Sequence, residues 1–386
     1  MTASFGVGFY GAGMIAKVHA FCHRNLDLFY DPPAARTTLV GVCTSRAETA
    51  EAARRRFGFE FATTDYRRLL DRDDIHVVHC AAPNHLHRDF VSDALAAGKH
   101  VYCEKPLAAS LADAEAIRTA ALEAPGSRLG MVFQNRFIPA TIRARQLVDE
   151  GFLGRIMTFR AEFLHSGYED PSKPKTWRIS KPESGGGALY DLGSHVIDLA
   201  ASLVGEITGV SAHAETFVRE RPAAGDPGRV EPIDVDDHAL MIARTADGAL
   251  GTIEASRVAV GITDELRVEV HGTEGALRFN LLDPDHLEIY DNRVPADPVG
   301  GRKGWTAVDT YRRYPKPDAG FPSPKVTWGW LRGHVDCLNS FLAAAAEGRE
   351  PVPGLAEGFA AQLVMDAAER SARANGAFVE FEPRRE

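Results

Sequence analysis

A glycine-rich turn between an apolar strand and a helix constrains the fold of this chain more than any other feature. Phe5 to Tyr10 is apolar, and the next segment, residues 11–16, reads GAGMIA and opens a helical stretch. In such a pattern the first glycine permits a tight turn, the second lets a pyrophosphate approach the backbone, and the small last residue keeps helix and strand close. N–H groups at the start of the helix then bind phosphate oxygens. A plain strand–turn–helix is the alternative, but the pattern predicts a dinucleotide site formed by Gly11, Gly13, Met14 and Ile15.

Strands and helices alternate over the first ~130 residues, which predicts a parallel, doubly wound sheet of the Rossmann type over residues 1–137. Ligands of such sheets bind at the carboxyl ends of the strands. Several residues follow predicted strands at these ends, and we expect them to contact the cofactor: Pro83, Asn84, His87, Glu104, Lys105 and Asn135. For Asn135 and its neighbour Arg136, the alternative is a helix cap and a surface charge.

The second predicted strand ends where such folds recognise the adenosine ribose. An NAD enzyme usually carries an acidic residue there, which accepts a hydrogen bond from the 2′-hydroxyl. This chain has Thr44, Ser45 and Arg46 instead. Hydroxyls and a guanidinium suit a 2′-phosphate better than a free diol, so we expect NADP or NAD, with NADP favoured. In the alternative interpretation Ser45 caps the following helix and Arg46 is solvated.

With 386 residues the chain is longer than one hydrophobic core usually supports, which predicts a second domain over residues 138–386. After Ile156 the pattern alternates, with hairpin turns at Asp247-Gly248 and at 272–275. We expect an α+β domain with a largely antiparallel sheet that is open on one face, which favours a homodimer or homotetramer. Residues 293–325 are typical of a long surface loop, and amphipathic helices are expected from Trp328 to Glu347 and from Leu355 to Ala374.

Composition excludes several classes of function. The formal net charge of −9 and a pI near 5.9 argue against a nucleic-acid-binding surface. The five cysteines include no C-x-x-C pair and are expected to be reduced thiols of a cytoplasmic protein. No window offers the roughly 18 unbroken apolar residues of a membrane span.

A run of three glycines, residues 185–187, precedes a helical pattern that contains Asp191 and His195. In an α-helix these two residues lie four apart on one face, so a carboxylate neighbours an imidazole. The glycines would let a bulky ligand approach the main chain. The alternative is a core histidine with satisfied hydrogen bonds and an acidic residue favoured by the helix dipole.

Other candidates flank this run. Trp177 and Arg178 follow a polar loop, and an aromatic ring beside a cation suits a sugar or the cofactor; a loop anchor is the alternative. Tyr168, Tyr190 and His165 are further substrate candidates. Asp234, Asp236, Asp237 and His238 suggest a metal, but no second group of ligands accompanies them, so we expect a solvated loop and no metal.

These motifs occur together in an informative order: GAGMIA at the first turn, APNH at 82–85, EKP at 104–106, and GGG followed by D-x-x-x-H. In this order and spacing the chain resembles the Gfo/Idh/MocA family, the glucose–fructose oxidoreductase and inositol dehydrogenase relatives. Within it, parts such as HGTEG at 271–275 look most like levoglucosan and inositol dehydrogenases. The resemblance implies that Lys105 is the family's catalytic lysine and that Asp191 and His195 are its acid–histidine pair. The departure is at Thr44, where many NAD-using relatives have an acid.

The resemblance implies an NAD(P)-dependent oxidoreductase that moves hydride between nicotinamide and a secondary hydroxyl of a sugar, anhydrosugar, glycoside or cyclitol. His195 is then the general acid/base, since an imidazole titrates near neutrality. Lys105 donates a hydrogen bond to the reacting oxygen, and Asp191 orients the ring or a neighbouring hydroxyl. Expected substrate contacts are Lys105, Tyr168, Trp177, Tyr190, Asp191 and His195. Two alternatives stay open: a redox-neutral, glycosidase-like enzyme with tightly held NAD, and a non-catalytic dinucleotide-sensing regulator.

Overall fold

The structure, a computed structural model, describes residues 2–310 and 329–382. The helices are α1 Met14–Phe29, α2 Ala47–Phe57, α3 Arg67–Leu70, α4 His87–Ala96, α5 Leu111–Glu123, α6 Pro139–Asp149, α7 Lys181–Ser184, α8 Ser194–Val204, α9 Trp330–Glu347 and α10 Leu355–Arg373. The strands are β1 Ala3–Tyr10, β2 Ala35–Cys43, β3 Phe61–Thr63, β4 Val77–Cys80, β5 His100–Cys103, β6 Leu129–Met131, β7 Ile156–Leu164, β8 Ile207–Glu215, β9 Glu220–Ala223, β10 Asp226–Pro232, β11 His238–Thr245, β12 Leu250–Ser256, β13 Glu265–Gly272, β14 Gly275–Asn280, β15 His286–Asp291, β16 Thr306–Asp309 and β17 Val379–Glu380.

The described chain divides into two compact units at Phe137 and Ile138. The first contains a six-stranded sheet in the order β3-β2-β1-β4-β5-β6, with every described pair parallel. The strand order reverses between β1 and β4, which is the switch point where ligands of such sheets bind. The predicted doubly wound sheet is therefore confirmed. The three-residue strand β3 had too short an apolar pattern to be expected.

Helix α9 groups with the first unit, and so do the residues after it as far as Phe359. This grouping differs from the single second domain expected over residues 138–386. The reason is packing: Val335, Leu338 and Phe341 of α9 belong to the same buried apolar cluster as Val7 and Phe9 of β1. An amphipathic pattern shows that a helix has an apolar face but not which sheet covers that face.

The second unit contains a nine-stranded sheet in the order β16-β15-β14-β13-β7-β12-β11-β8-β17. The predicted hairpins are present, since β11 pairs with β12 and β13 with β14, both antiparallel. The sheet is largely antiparallel, as predicted, but β7 lies between β12 and β13 and pairs with β12 in parallel. Buried and exposed side chains alternate along β11, as expected for a sheet with one open face.

Helix α1 ends at Phe29 and β2 begins at Ala35, so residues 30–34 connect the two elements. Residues 311–325 of the expected long loop, and the expected helix start at Trp328, lie outside the described residues. Of the described helices, none combines the length and apolar character that a membrane crossing requires.

The grouping of α9 with the first unit yields a stability prediction. Phe341 is buried, and its ring lies 5.0 Å from that of Tyr102 on β5. We expect Phe341→Ala to lower the free energy of unfolding of the first unit by about 3–5 kcal/mol, because it leaves a cavity in the core. The measurement is denaturant unfolding, with Leu122→Ala on the exposed side of α5 as the control that changes stability by less than about 0.5 kcal/mol. Equal effects of the two substitutions would contradict this packing.

Candidate active site

The glycine-rich turn that the sequence predicts between β1 and α1 is present. Gly11 has φ +104°, and a Cβ there would lie 2.3 Å from the Ala81 carbonyl oxygen, so only glycine fits. At Gly13 a Cβ would meet no atom within 4 Å. Gly13 is also the N-cap of α1, with no side-chain cap and no acidic residue in the first turn. The first N–H groups of α1 therefore have no side-chain cap, and uncapped N–H groups at a helix start are suited to binding phosphate oxygens.

The residues after β2 offer hydroxyls and a cation. Thr44 Oγ1 donates to the Arg46 carbonyl oxygen at 2.8 Å and lies 2.6 Å from Thr49 Oγ1. Ser45 and Arg46 are exposed. Helix α2 has Arg46 as its N-cap, and no side-chain bond caps it, so the alternative in which Ser45 caps the helix is wrong.

The other strand ends of the first unit hold buried and half-buried polar residues. Asn84 is buried in a short 3₁₀ turn after β4, and Asn135 is buried in another after β6. Lys105 follows β5, is half-buried, and precedes a cis peptide bond to Pro106. Glu104 is buried, with Oε1 3.0 Å from His19 Nε2. The guanidinium of Arg136 lies 3.9 Å from a carboxylate oxygen of Glu357.

His87, which we expected to contact the cofactor, has a different place. The ring is fully buried, with Nε2 3.0 Å from the Ala82 carbonyl oxygen and Nδ1 3.1 Å from that of Pro106. It ties the segment before Pro83 to the segment after Lys105. This correction has a simple cause: an N-x-x-H spacing shows that the histidine follows a strand but not which way its ring turns.

His87 also has two cysteine neighbours. Cys80, His87 and Cys103 are buried and offer ligand atoms within 4.8 Å of one another. Burial alone would lower the pKa of His87, but the neighbouring Cys80 thiolate raises it to about 9. Burial would raise the pKa of Cys80, but the hydrogen bond from Cys103 and the charge of His87 lower it to about 5. Because both nitrogens of His87 face carbonyl oxygens, we describe the group as a thiolate–imidazolium pair rather than as a metal site.

In the second unit, the three glycines allow the chain to approach itself. A Cβ on Gly186 would lie 2.3 Å from the Tyr190 ring, and one on Gly187 would lie 1.7 Å from the Asp236 carbonyl oxygen. We expected a bulky ligand to approach the main chain at these glycines. At Gly186 and Gly187 the protein itself occupies that space. Tyr190 is buried, and burial followed by the nearby acids, Glu369 first, raises its pKa well above the ordinary value. It supports the glycine run and is not placed to meet a substrate.

Asp236 fixes the start of the helix that follows. Its carboxylate accepts from the Gly187 N–H and the Leu189 N–H, both at 2.8 Å, and its own carbonyl accepts from the Ala188 N–H at 2.9 Å. Neighbouring Asp237 is buried and accepts from the Phe217 and Val218 N–H groups. The expectation of a solvated loop at 234–238 therefore holds for Asp234, which is exposed, and is wrong for Asp236 and Asp237. The sequence gives no signal for a cap that lies 49 residues from the helix start.

The helix itself is irregular at the candidate acid. Residues Leu189–Gly193 form a π-helical turn, and α8 begins only at Ser194. The α-helical spacing assumed for Asp191 and His195 is therefore not present. π-Turns are rare and frequently occur at functional sites, because they redirect side chains within a helix. Here the Asp191 side chain is 23% exposed, and His195 is buried beside the Phe163 ring.

Arg257, at the end of β12, is the residue that sequence reasoning missed. Its side chain is 1% exposed and donates to Asp191 Oδ2 at 3.2 Å. It also donates to the Arg178 carbonyl oxygen at 3.2 Å and lies 4.8 Å above the Tyr168 ring. One buried cation thus connects Asp191 with Tyr168, a predicted substrate residue, and with Arg178, which we expected near the sugar or the cofactor. A single arginine after a strand has no spacing that would have revealed this.

The aromatic candidates surround this cation. The His165 and Tyr168 rings are stacked with centroids 6.2 Å apart, and burial lowers the pKa of His165. Trp177 lies in a short 3₁₀ turn, and the Arg178 guanidinium lies 4.5 Å from its ring centroid. The structure thus brings Tyr168, Arg178 and Asp191 together around Arg257. The Arg178 guanidinium covers one face of the Trp177 ring.

Comparison with known proteins agrees with this geometry. Residues 5–129 match the oxidoreductase family with an NAD-binding Rossmann fold, and residues 141–278 match the GFO/IDH/MocA C-terminal domain. Levoglucosan dehydrogenase of Pseudarthrobacter phenanthrenivorans is 36% identical over 380 residues, 96% of each chain. Inositol 2-dehydrogenase of Rhizobium meliloti is 31% identical over 374 residues, 96% of this chain and 97% of that one. A levoglucosan dehydrogenase solved with NADH and L-sorbose superposes with a TM-score of 0.93, at 35% identity over 99% of this chain and 100% of that one. The chain therefore belongs to the GFO/IDH/MocA family and is an NAD-binding oxidoreductase.

Proposed function

We propose that this protein is an NAD(P)-dependent dehydrogenase that reversibly oxidises a secondary hydroxyl of a sugar, anhydrosugar, glycoside or cyclitol. The observation that carries the proposal is the ion pair between Asp191 and buried Arg257. Asp191 lies on the π-turn that leads to His195. The chain is also similar to a levoglucosan dehydrogenase and an inositol 2-dehydrogenase, whose names state the dehydrogenation of levoglucosan and of inositol. The first unit supplies the nucleotide site, and the second supplies Asp191 and His195.

The proposed chemistry needs three roles. As hydride leaves the carbon for the nicotinamide, the hydroxyl proton must be removed, and His195 accepts it; in the reverse direction His195 returns it. Lys105 donates a hydrogen bond to the same oxygen, which stabilises the negative charge that develops there. Asp191, held by Arg257, orients the imidazole or a neighbouring substrate hydroxyl. Tyr168 and Trp177 then contact the sugar ring.

The arginine is proposed to act by positioning. A buried guanidinium beside a carboxylate fixes that carboxylate by charge and direction, and a misplacement of about 1 Å in such a site can lower the rate roughly a hundredfold. Arg257 also donates to the carbonyl of Arg178 and covers one face of Tyr168, so it holds both residues in position relative to Asp191.

For the cofactor, we propose that NADP is used in preference to NAD. Arg46 and Ser45 are exposed after β2, and Thr44 stands where an acid would bind the ribose diol. A guanidinium and a hydroxyl provide donors for the oxygens of a 2′-phosphate.

The site of action and the assembly are also proposals. Cys22, Cys43, Cys80, Cys103 and Cys337 are free and buried, which supports a reducing cytoplasm. On the nine-stranded sheet, Leu240, Ile242 and Leu250 are exposed together on β11 and β12. We propose that this face is covered in a homodimer or homotetramer, since exposed apolar side chains on a sheet favour association.

The central test removes the proposed general base. His195→Ala should lower kcat for sugar or cyclitol oxidation by roughly 10²–10⁴-fold while the Kd of the reduced nicotinamide changes little. The measurements are absorbance of the reduced nicotinamide over a panel of sugars and cyclitols, and cofactor titration by fluorescence. His286→Ala, which removes a histidine paired with Asp283 in the same unit, is the matched control. Retained turnover in His195→Ala would remove His195 from the mechanism.

A second test addresses Arg257. Arg257→Ala should lower kcat about tenfold to a hundredfold, because Asp191 loses its fixed partner. Added guanidinium ion should restore part of that activity by binding in the space left by the side chain, whereas sodium chloride at equal concentration should not. Arg160→Ala on the exposed side of β7 is the control and should leave kcat unchanged. Loss of activity without guanidinium rescue would assign Arg257 to folding alone.

A third test addresses the cofactor. Arg46→Ala should lower kcat/KM for NADP about tenfold and leave that for NAD within about twofold, since a charge-assisted contact to the 2′-phosphate contributes about 1.5–3 kcal/mol. The control is Arg55→Ala, an exposed arginine further along α2. An NADP/NAD ratio that stays the same in Arg46→Ala would overturn the preference.

A further inference from the structure

A chain of buried imidazoles runs through the first unit, and the proposed mechanism does not use it. His19 and His23 lie four residues apart on α1, and His79 lies between them on β4; all three rings are buried. His23 Nε2 is 2.9 Å from His79 Nε2, and His79 Nδ1 is 3.1 Å from His19 Nδ1. Each ring of the chain is thus at hydrogen-bonding distance from the next.

The two ends of the chain differ. At one end His23 Nδ1 lies 3.0 Å from Thr37 Oγ1, and Thr37 is half-buried on β2. At the other end His19 Nε2 lies 3.0 Å from Oε1 of buried Glu104, the residue before Lys105. This last contact departs from hydrogen-bond alignment, so a proton crosses it only after the carboxylate turns toward the ring.

One set of tautomers satisfies the contacts among Thr37 and the three histidines and places a proton between His19 and Glu104. An ionised Glu104 requires the proton of His19 on Nε2, which leaves Nδ1 of His19 as an acceptor. His79 must then carry its proton on Nδ1 and His23 on Nε2, and the Thr37 hydroxyl donates to His23. All donors point toward Glu104. If Glu104 is protonated, the opposite set satisfies the same contacts, so the chain has two matched states.

Such a chain requires neutral rings, because an imidazolium has two donors and no acceptor. Burial, followed by the neighbouring histidines, lowers the pKa of His23 to about 3 and that of His79 well below its ordinary value. The Phe9 ring stacks on His79 at 4.4 Å, and the Tyr102 ring lies 5.0 Å from it. Another imidazole beside the chain is His334 of α9, which is also buried; its centroid lies 6.4 Å from that of His19.

We propose that Thr37, His23, His79, His19 and Glu104 form a proton relay that connects the surface near β2 with the carboxylate of Glu104, the residue before Lys105. The proposal rests on the proposed function, since alcohol oxidation releases one proton for each hydride and the reverse reaction consumes one. In one direction a proton enters at Thr37 from water, each histidine accepts on one nitrogen and donates from the other, and Glu104 is protonated. One proton is transferred, every ring stays neutral, and no electron moves. The opposite tautomers carry the proton back.

The resting tautomers provide a test that does not depend on activity. Nitrogen-15 NMR of the full chain without substrate should show neutral His19 and His23 protonated on Nε2 and neutral His79 protonated on Nδ1. Signals are assigned by their loss in His19→Gln, His23→Gln and His79→Gln. The opposite set, with His79 protonated on Nε2 and His19 and His23 on Nδ1, would indicate the second matched state of the relay. An imidazolium at any of the three positions, or a mixture of tautomers that matches neither set, would overturn the relay.

The kinetic test breaks the relay without removing its hydrogen bonds. The amide of His79→Gln can donate and accept, but it does not pass a proton through as an imidazole does. We expect kcat to fall at least about tenfold, less than for direct acid–base residues, with KM and the thermal midpoint little changed. Proton release followed with an indicator dye should lag behind nicotinamide reduction in the first turnover, and the solvent deuterium isotope effect on kcat should rise.

The matched control is His334→Gln, which changes a buried histidine next to the chain but outside it. It should keep the wild-type kcat and isotope effect. If His79→Gln releases its proton together with nicotinamide reduction and keeps kcat, the imidazoles are structural and the relay is wrong. If the wild-type chain oxidises no alcohol with either cofactor, the proposed function fails, and the NMR tautomers then decide the relay separately.

Discussion

The candidate site depends first on the bonds between Asp236 and the backbone at residues 187–189. Four N–H groups at the start of any helix lack partners within the helix, and here Asp236 accepts from three consecutive ones. The contact is possible only because position 187 has no side chain, since a Cβ there would lie 1.7 Å from the Asp236 carbonyl oxygen. Capping by an aspartate is worth about 0.5–2 kcal/mol, so this contact stabilises the helix start as well as placing it. The strand that begins at His238 thereby fixes where the π-turn begins.

From that fixed start, the π-turn and Arg257 determine what the turn presents. A π-turn inserts one residue into a helix and changes the direction of the side chains that follow. Asp191 lies inside the turn and His195 just beyond it, so the turn lets the carboxylate reach Arg257 while the imidazole stays buried beside Phe163. A buried arginine without a partner would be strongly destabilising, whereas one that meets a carboxylate, a carbonyl and an aromatic face is compensated on several sides. The same interactions that make the ion pair tolerable also make it rigid.

How much the sequence predicted depends on the range of the contacts involved. The tight turn at Gly11 and Gly13 was predicted and is present, because the requirements for such a turn are local to one strand–turn–helix. The parallel first sheet and the hairpins β11–β12 and β13–β14 also follow from local periodicity. The capping role of Asp236, the role of Arg257 and the position of β7 in its sheet were missed. Each of them depends on a partner tens of residues away. His87 and Tyr190 show the converse case: their spacing suggested ligand contacts, but the orientation of each ring is set by packing that no spacing records.

The polar residues in the interiors of the two units differ in charge and in what they can do. Around Asp191 the buried groups are charged, and a charge pair holds one geometry because any displacement loses Coulomb energy at low dielectric. Between Thr37 and Glu104 the proposed relay requires neutral rings, since a neutral imidazole can exchange its donor and acceptor nitrogens without creating a charge. Protonating any one of these rings would turn an acceptor into a donor and place two N–H groups against each other. The burial that holds the pKa of His23 near 3 is therefore what keeps the chain continuous at neutral pH. The proposed site must hold a carboxylate in one position, whereas the proposed relay must move a proton. The two consequently need opposite kinds of interior, a fixed charge pair around Asp191 and a row of imidazoles between Thr37 and Glu104.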